Sequence, residues 1–134
     1  ITDDVLENPD IVTYGYPNMT NTSRDSSYLK NCNISAAFMS YGMYIQTETG
    51  TTVDASELGV KDIKVQIKNG IFWNTIATSG GGSVTNDHTF CGSCDCTNAV
   101  SGETYRIKCT HYAYIGGNYY HYDNTTDGFK YVKP

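Results

Sequence analysis

Three cysteines lie within six residues of this chain, and a thiolate can serve as a metal ligand or as a redox group. Cys91, Cys94 and Cys96 are spaced C-x-x-C-x-C, and the whole chain has five cysteines. A structural zinc site needs four ligands, of which a C-x-x-C loop supplies two. Cys109 and His111 alternate onto one face of a predicted strand, so a site of Cys91, Cys94, Cys109 and His111 is conceivable. No second C-x-x-C is present, and no helix follows that would make a thioredoxin-like centre.

Structural disulfides in an oxidising compartment are the interpretation we favour for the cysteines. The candidates are Cys32, Cys91, Cys94, Cys96 and Cys109, and an odd number leaves one thiol unpaired. A Cys94–Cys96 bridge would close a strained ring. We therefore expect Cys109 to pair with one member of the cluster and Cys32 to take another. Each bridge would contribute about 2–4 kcal/mol to stability.

Aromatic side chains form the second candidate site. In the segment from Tyr105 to Asn124, alternation places Tyr112, Tyr114, Tyr119 and His121 on the face opposite the predicted core. Flat amphipathic rings on an open sheet can stack on sugars or anchor a protein partner. Cross-strand pairing that only stabilises the hairpin is the alternative, and we favour it over a binding role.

Catalytic and cofactor-binding motifs are not found. The sequence has no G-x-S-x-G elbow, no HExxH and no phosphate-binding loop. We expect His111 to be packed and hydrogen-bonded in the core. The stretch Asp123–Gly128 has only a faint likeness to a calcium loop and reads as a polar turn. We predict that the protein is not an enzyme and has neither a cofactor nor a bound metal.

Charge and hydropathy limit the partners. The formal net charge of −5 at pH 7 argues against nucleic acid, because binding to phosphates requires clustered lysine and arginine. No run approaches the roughly 18 apolar residues of a membrane span. The sequence starts without Met and is rich in Thr, Ser, Asn, Gly and Tyr, so we predict a mature secreted or cell-surface protein, with an engineered truncation as the alternative explanation of its start.

The sequence divides into an irregular N-terminal arm or linker over residues 1–30 and a β-sandwich domain over residues 31–134. Strand patterns begin with Phe38–Glu48, where Met39, Tyr41, Met43 and Ile45 share one face by period-2 counting. A later strand, with Tyr105, Ile107, Cys109, His111 and Ala113 on one face, leads to a hairpin turn at Gly116-Gly117. About seven short strands and no helical pattern predict an all-β, two-sheet antiparallel β-sandwich.

The hairpin around Asn69-Gly70 decides the position of the only tryptophan. Asn69-Gly70 is the strongest short hairpin signal and predicts a two-residue type I′ turn, which would pair Ile67 with Phe72 and direct Trp73 away from the core. A three-residue loop would instead bring Trp73 beside Ile67. A lone tryptophan is usually well buried, so we favour Trp73 in the core.

Several motifs resemble known families. The segment Gly102–Thr125, which opens with the pattern G-x-x-Y-x-[IV]-x, resembles the last hairpin of immunoglobulin-like and fibronectin-type sandwiches. Residues 31–132 resemble small secreted bacterial proteins of a domain-of-unknown-function family, through Asp62–Ile67, Trp73–Ala77 and Tyr105–His111. The resemblance implies an extracytoplasmic immunoglobulin/fibronectin-like β-sandwich without known activity, and the cysteine cluster is not part of the shared pattern.

The function predicted from these observations is binding or display at the cell exterior by a non-enzymatic module. Its partner would be a glycan or a protein outside the cell, with Tyr112, Tyr114, Tyr119 and His121 as the binding residues. The alternative is an extracellular metal-binding protein that uses Cys91, Cys94 and Cys96.

Overall fold

The chain folds into eight β-strands without an α-helix, in a computed structural model that describes residues 11–14 and 28–134. The strands are β1 (Ile11–Tyr14), β2 (Leu29–Met39), β3 (Gly42–Asn69), β4 (Phe72–Ser79), β5 (Gly82–Cys96), β6 (Thr104–Ile115), β7 (Asn118–Thr125) and β8 (Phe129–Lys130). Within these described residues, no helix has the length and apolarity to cross a membrane. The predicted all-β antiparallel class is confirmed.

The 28-residue strand β3 connects the whole sheet, because it changes partners along its length. Its first part lies between β2 and β5, its middle between β5 and β6, and its last part between β4 and β6. β1 extends the sheet beyond β2, β7 extends it beyond β6, and β8 pairs with the start of β6. All eight strands therefore belong to one continuous curled antiparallel sheet, rather than to two sheets that are separately hydrogen-bonded.

Most of the predicted N-terminal arm, residues 1–30, lies outside the described residues. Within it, Ile11–Tyr14 forms β1 and pairs with the Ile34–Ala37 segment of β2. Residues 31–134 hold most of β2 and all of β3 to β8.

The core lies inside the curl and is supplied by alternate residues of the long strands. On β6, Tyr105, Ile107, Cys109, His111 and Ala113 are all buried, as the period-2 pattern predicts. Strand β2 and the C-terminal segment meet in this core, where the Phe38 ring lies 5.7 Å from Phe129 and 5.4 Å from Tyr131. The Tyr131 hydroxyl donates a hydrogen bond to the carbonyl of Met39, so the segment after β8 is tied to the end of β2 and closes the curl.

Two hairpin turns contrast in how well sequence anticipates them. Gly116 and Gly117 both have positive φ, as a type I′ turn requires, and β6 pairs with β7 in the predicted register. At the β3–β4 turn, the type I′ prediction is wrong. Only Gly70 has positive φ there, so the turn residues are Gly70 and Ile71, which is the pattern of a type II′ turn.

The register after this turn excludes Trp73 from the core. Ile67 pairs with Asn74 rather than with Phe72, and Trp73 pairs with Lys68. Trp73 is only half-buried, and its ring lies 4.5 Å from the Arg106 guanidinium on the outer face. The expectation of a core tryptophan is therefore wrong, because the cation–π contact with Arg106 supplies the alternative packing.

The predicted continuous strand Phe38–Glu48 is interrupted by a turn. Ser40 and Tyr41 connect β2 to β3, and Tyr41 is 42% exposed. Met39, Met43 and Ile45 are buried as expected. Tyr41 leaves their shared face because a turn breaks the alternation on which the prediction depends.

Candidate functional site

The aromatic patch is the group of rings formed by Tyr112, Tyr114, Tyr119 and His121 on the outer face of the β6–β7 hairpin. The Tyr114 and Tyr119 rings lie 5.1 Å apart, and His121 stacks on Tyr119 at 5.5 Å. The Tyr112 ring lies 6.1–6.2 Å from both other tyrosines. The predicted side-chain set is thus brought together, because the hairpin register pairs Tyr114 with Tyr119 and Tyr112 with His121.

The four rings differ in exposure. Tyr114 is 40% exposed and the His121 side chain is 37% exposed, whereas Tyr112 is only 9% exposed. Tyr112 donates a 2.6 Å hydrogen bond to the Glu57 carboxylate, and burial together with this bond raises its pKa. Tyr112 is therefore the fixed base of the patch, and Tyr114, Tyr119 and His121 offer the accessible surface.

A lysine from β3 borders the patch. The Lys61 ammonium lies 4.9 Å from the centre of the Tyr119 ring and 5.4 Å from that of Tyr112. A hydrogen bond to Tyr119 raises the pKa of Lys61, which keeps the ammonium charged. Rings, a carboxylate and an ammonium therefore meet at one surface.

A β-bulge at Asp62 determines which β3 side chains reach this face. Asp62 adopts φ +54°, and the β3–β6 pairing shifts register between Lys61 and Lys64. The bulge reverses the alternation, so Val60 and Ile63 both point inward while Lys61 and Lys64 both point outward. Asp tolerates the left-handed conformation better than most residues.

A polar groove of about 330 Å³ continues from the aromatic patch along the same face. Its lining includes Asp62, Lys64, Lys108, Thr110 and Asp123. Asp123 accepts a 3.0 Å hydrogen bond from Thr110 and lies 3.5 Å from Nδ1 of His121, which belongs to the patch. The patch and the groove therefore form one continuous surface.

The cysteine cluster is spread over both faces of β5. Cys91 is exposed, whereas Cys94 and Cys96 point toward the core. An offset of three residues places the two cysteines of the C-x-x-C on opposite faces of a strand, and an offset of two places Cys94 and Cys96 on the same face. Cys91 and Cys94 therefore do not chelate one ion together here.

All five cysteines, namely Cys32, Cys91, Cys94, Cys96 and Cys109, are free thiols in this structure. It therefore contains none of the disulfides that the sequence predicts. Burial raises the pKa of Cys32 to about 12 and raises the pKa values of Cys94, Cys96 and Cys109, so these four thiols are protonated at neutral pH. Protonated, shielded thiols are poor nucleophiles and poor metal ligands.

His111 is buried within a polar network, as the sequence predicts. Its Nδ1 atom lies 2.8 Å from the Thr49 hydroxyl, and its Nε2 atom lies 3.0 Å from the Asn124 amide and 3.4 Å from the Cys109 sulfur. Burial lowers the pKa of His111 to about 4. A thiol and an imidazole that are both uncharged and fully enclosed do not form the ion pair of a cysteine nucleophile.

Over the described ranges 11–14 and 28–134, no group of three or more His, Cys, Asp or Glu side chains is placed to hold a metal ion. The Asp123–Gly128 stretch continues β7 through Thr125. Thr126 then makes two hydrogen bonds to Ile107 of β6. Its amide donates to the Ile107 carbonyl, and its hydroxyl accepts from the Ile107 amide.

Comparison with known proteins matches no protein-family model, no curated protein and no solved structure to this chain. The family resemblance inferred from the sequence motifs therefore stays a prediction.

Several residues beside the patch were not identified from sequence. Glu57, Lys61, Lys64, Lys108 and Asp123 come to the aromatic face through β3–β6 and β6–β7 pairing. The hairpin register places Asp123 on the outer face, but the β3 residues depend on a long-range pairing and on the Asp62 bulge. No local sequence pattern specifies either.

Proposed function

We propose that this protein is a non-enzymatic binding module of the cell exterior, and that its aromatic patch binds a saccharide. The observation that carries the proposal is the cluster of Tyr112, Tyr114, Tyr119 and His121, three of whose rings are accessible. Sugar rings present apolar C–H faces that stack on aromatic rings, while their hydroxyls bond to neighbouring polar groups. Glu57, Lys61 and Asp123 supply such groups beside the patch.

The proposal includes the finer fold class, an immunoglobulin/fibronectin-like two-sheet sandwich. The two-sheet arrangement is supported by the change of partners along β3, because the start of β3 pairs with β2 and its end pairs with β4. Contacts across the interior also support it, because Asn124 on β7 donates to the carbonyl of Cys32 on β2. The non-enzymatic character is supported by the enclosed, uncharged Cys109–His111 pair.

A glycan array with matched tyrosine variants tests the proposal. We expect Tyr114→Ala and Tyr119→Ala each to weaken binding by about tenfold, or about 1.4 kcal/mol, because each removes an accessible ring. Tyr41→Ala is the control, since Tyr41 is 42% exposed but lies in the β2–β3 turn. Binding of no saccharide, or equal losses in all three variants, contradicts the proposal. Retention of an extracellular protein in place of any saccharide contradicts the choice of ligand.

Secretion and disulfide formation belong to the same proposal and have a separate test. The protein is isolated from the medium or cell surface of its source, and its intact mass is compared before and after reduction. A mass increase on reduction supports an oxidising compartment. Free thiols with one zinc ion per chain would instead favour the alternative of a metal-binding protein that uses Cys91, Cys94 and Cys96.

A further inference from the structure

Three basic side chains lie beside the aromatic patch or in the groove that continues from it, although the protein as a whole is acidic. The chain carries nine Lys and Arg against fourteen Asp and Glu. Five of the nine lie on β3 and β6, and these are Lys61, Lys64, Lys68, Arg106 and Lys108. Of these, Lys61 contacts the aromatic patch, and Lys64 and Lys108 line the groove that continues from it.

Lys64 and Lys108 face each other directly across β3 and β6 and line the polar groove. Like charges at directly opposed positions of a sheet are destabilising. Over the described residues, neither ammonium has a carboxylate within the 4.0 Å ion-pair distance. A bound anion would reduce the repulsion between the two ammonium groups, because one carboxylate can accept hydrogen bonds from both.

Carboxylates in the same groove indicate what kind of anion fits. Asp62 and Asp123 line the groove beside the two lysines, and Glu57 borders the patch. These groups would repel a densely charged phosphate polymer, but they accept hydrogen bonds from hydroxyl groups. A ligand that alternates carboxylates with hydroxyls satisfies both kinds of side chain.

We infer that the ligand is an acidic saccharide, in which one sugar ring stacks on Tyr114 and Tyr119 while a uronic-acid carboxylate binds Lys64 and Lys108. The inference rests on the proposed function, since it assigns the substrate class of that same surface. The continuity of patch and groove through His121 and Asp123 allows one oligosaccharide to occupy both.

The test uses uronic-acid oligosaccharides of several linkages, including galacturonan, alginate, hyaluronan and glucuronoxylan fragments, each beside its carboxyl-reduced neutral counterpart. We expect at least one acid form to bind at least about tenfold more tightly than its reduced form, since hydrogen bonds to charged groups are the stronger ones. The Lys64→Gln/Lys108→Gln variant should lose this preference while retaining the residual binding of the neutral form.

A charge-matched control separates a local effect from a general one. Lys30→Gln/Lys133→Gln removes the same number of charges at exposed positions on β2 and near the C-terminus. It should retain the preference for the acid form. If the two double variants weaken binding equally, the groove assignment is overturned.

The remaining outcomes distinguish failure of this inference from failure of the proposed function. Equal binding of acid and reduced forms, abolished by Tyr119→Ala, overturns the acidic ligand and leaves the saccharide module intact. No binding of any saccharide, or binding that Tyr119→Ala does not affect, overturns both. Binding of an RNA or DNA oligonucleotide through Lys64 and Lys108, without saccharide binding, also overturns both.

Discussion

At the scale of single residues, His111 shows how burial determines protonation. Its imidazole is fully enclosed and contacts Thr49, Cys109 and Asn124, which are hydrogen-bonding partners without formal charge. Burial outweighs the backbone hydrogen bond at Glu48, which favours the imidazolium, so the neutral form is strongly preferred. The network joins β3, β6 and β7, and the folded state depends on its remaining uncharged.

The pH dependence of stability follows from His111. Its pKa falls from 6.5 in the unfolded chain to about 4 in the folded protein. The unfolded chain therefore binds the proton first on acidification. The stabilisation is fully present above pH 6.5 and is lost as the pH falls toward 4, with a total of about 3 kcal/mol.

Urea denaturation of the wild type and of His111→Gln at several pH values measures this effect. The wild type should lose more stability than the variant between pH 6.5 and 4, whatever the variant's stability at neutral pH. His88→Gln replaces an exposed histidine, and this variant should lose as much stability as the wild type between pH 6.5 and 4. Parallel curves for wild type and His111→Gln would contradict the assignment.

The cysteines should differ sharply in reactivity in the reduced, native protein. Cys91 is exposed, whereas Cys32 and Cys109 are buried and burial raises the pKa of each thiol. We expect iodoacetamide to label Cys91 first, and Cys32 and Cys109 only after denaturation. Peptide mapping by mass spectrometry measures the order, and early labelling of Cys109 would contradict the buried position.

At the scale of elements, a hairpin whose register is specified by its own turn residues could be predicted from the sequence, whereas pairings between distant strands could not. The Gly116-Gly117 turn fixed the β6–β7 register, and with it the composition of the aromatic patch. At Asn69-Gly70 the same reasoning failed, because only one of the two turn residues has positive φ. The positions of Lys61 and Lys64 depend on the Asp62 bulge and on pairing with β6, more than forty residues later in the sequence.

Gly59 shows how tightly the middle of β3 is packed between its neighbours. It pairs with Tyr112 of β6 and with Ser83 of β5. A Cβ atom at Gly59 would lie 2.1 Å from the carbonyl oxygen of Gly82 and 2.7 Å from Cα of Ser83. Because both are backbone atoms, no side-chain rotation relieves the clash.

Replacing Gly59 should therefore separate β3 from β5. We expect Gly59→Ala to lower the free energy of unfolding by about 3 kcal/mol, at the upper end of the usual cost of overpacking. Gly80→Ala is the matched control, because nothing lies within 4 Å of its added Cβ and its φ is not left-handed. Chemical denaturation measures both variants, and equal stabilities would contradict the close approach.

At the scale of the whole molecule, the curl is closed by residues far apart in the sequence. Tyr131 is 1% exposed, packs against Phe38 and bonds to the carbonyl of Met39. It thereby joins the first described hairpin to the C-terminal segment. We expect the sheet to unfold as one cooperative unit for which this contact is required.

Tyr131→Ala tests this cooperativity. The loss of a large buried ring should cost about 3–5 kcal/mol. The transition should shift equally for Trp73 fluorescence, which reports on β4, and for hydrogen exchange in β2, although these two strands pair with opposite ends of β3. Val132→Ala, at a residue 52% exposed, should change stability by less than about 0.5 kcal/mol. A shift confined to β2 would contradict a single cooperative unit.

The length of β3 has a consequence for dividing the molecule. A cut between Gly80 and Gly81 leaves β1 to β4 on one polypeptide and β5 to β8 on the other. Along most of its length, β3 in the first piece would then lack the neighbours β5 and β6, which the second piece alone provides. Each piece alone lacks strands with which its own strands pair, so we expect each to be unstructured in isolation. We expect the two pieces to reassemble when they are mixed, as the halves of a split reporter do.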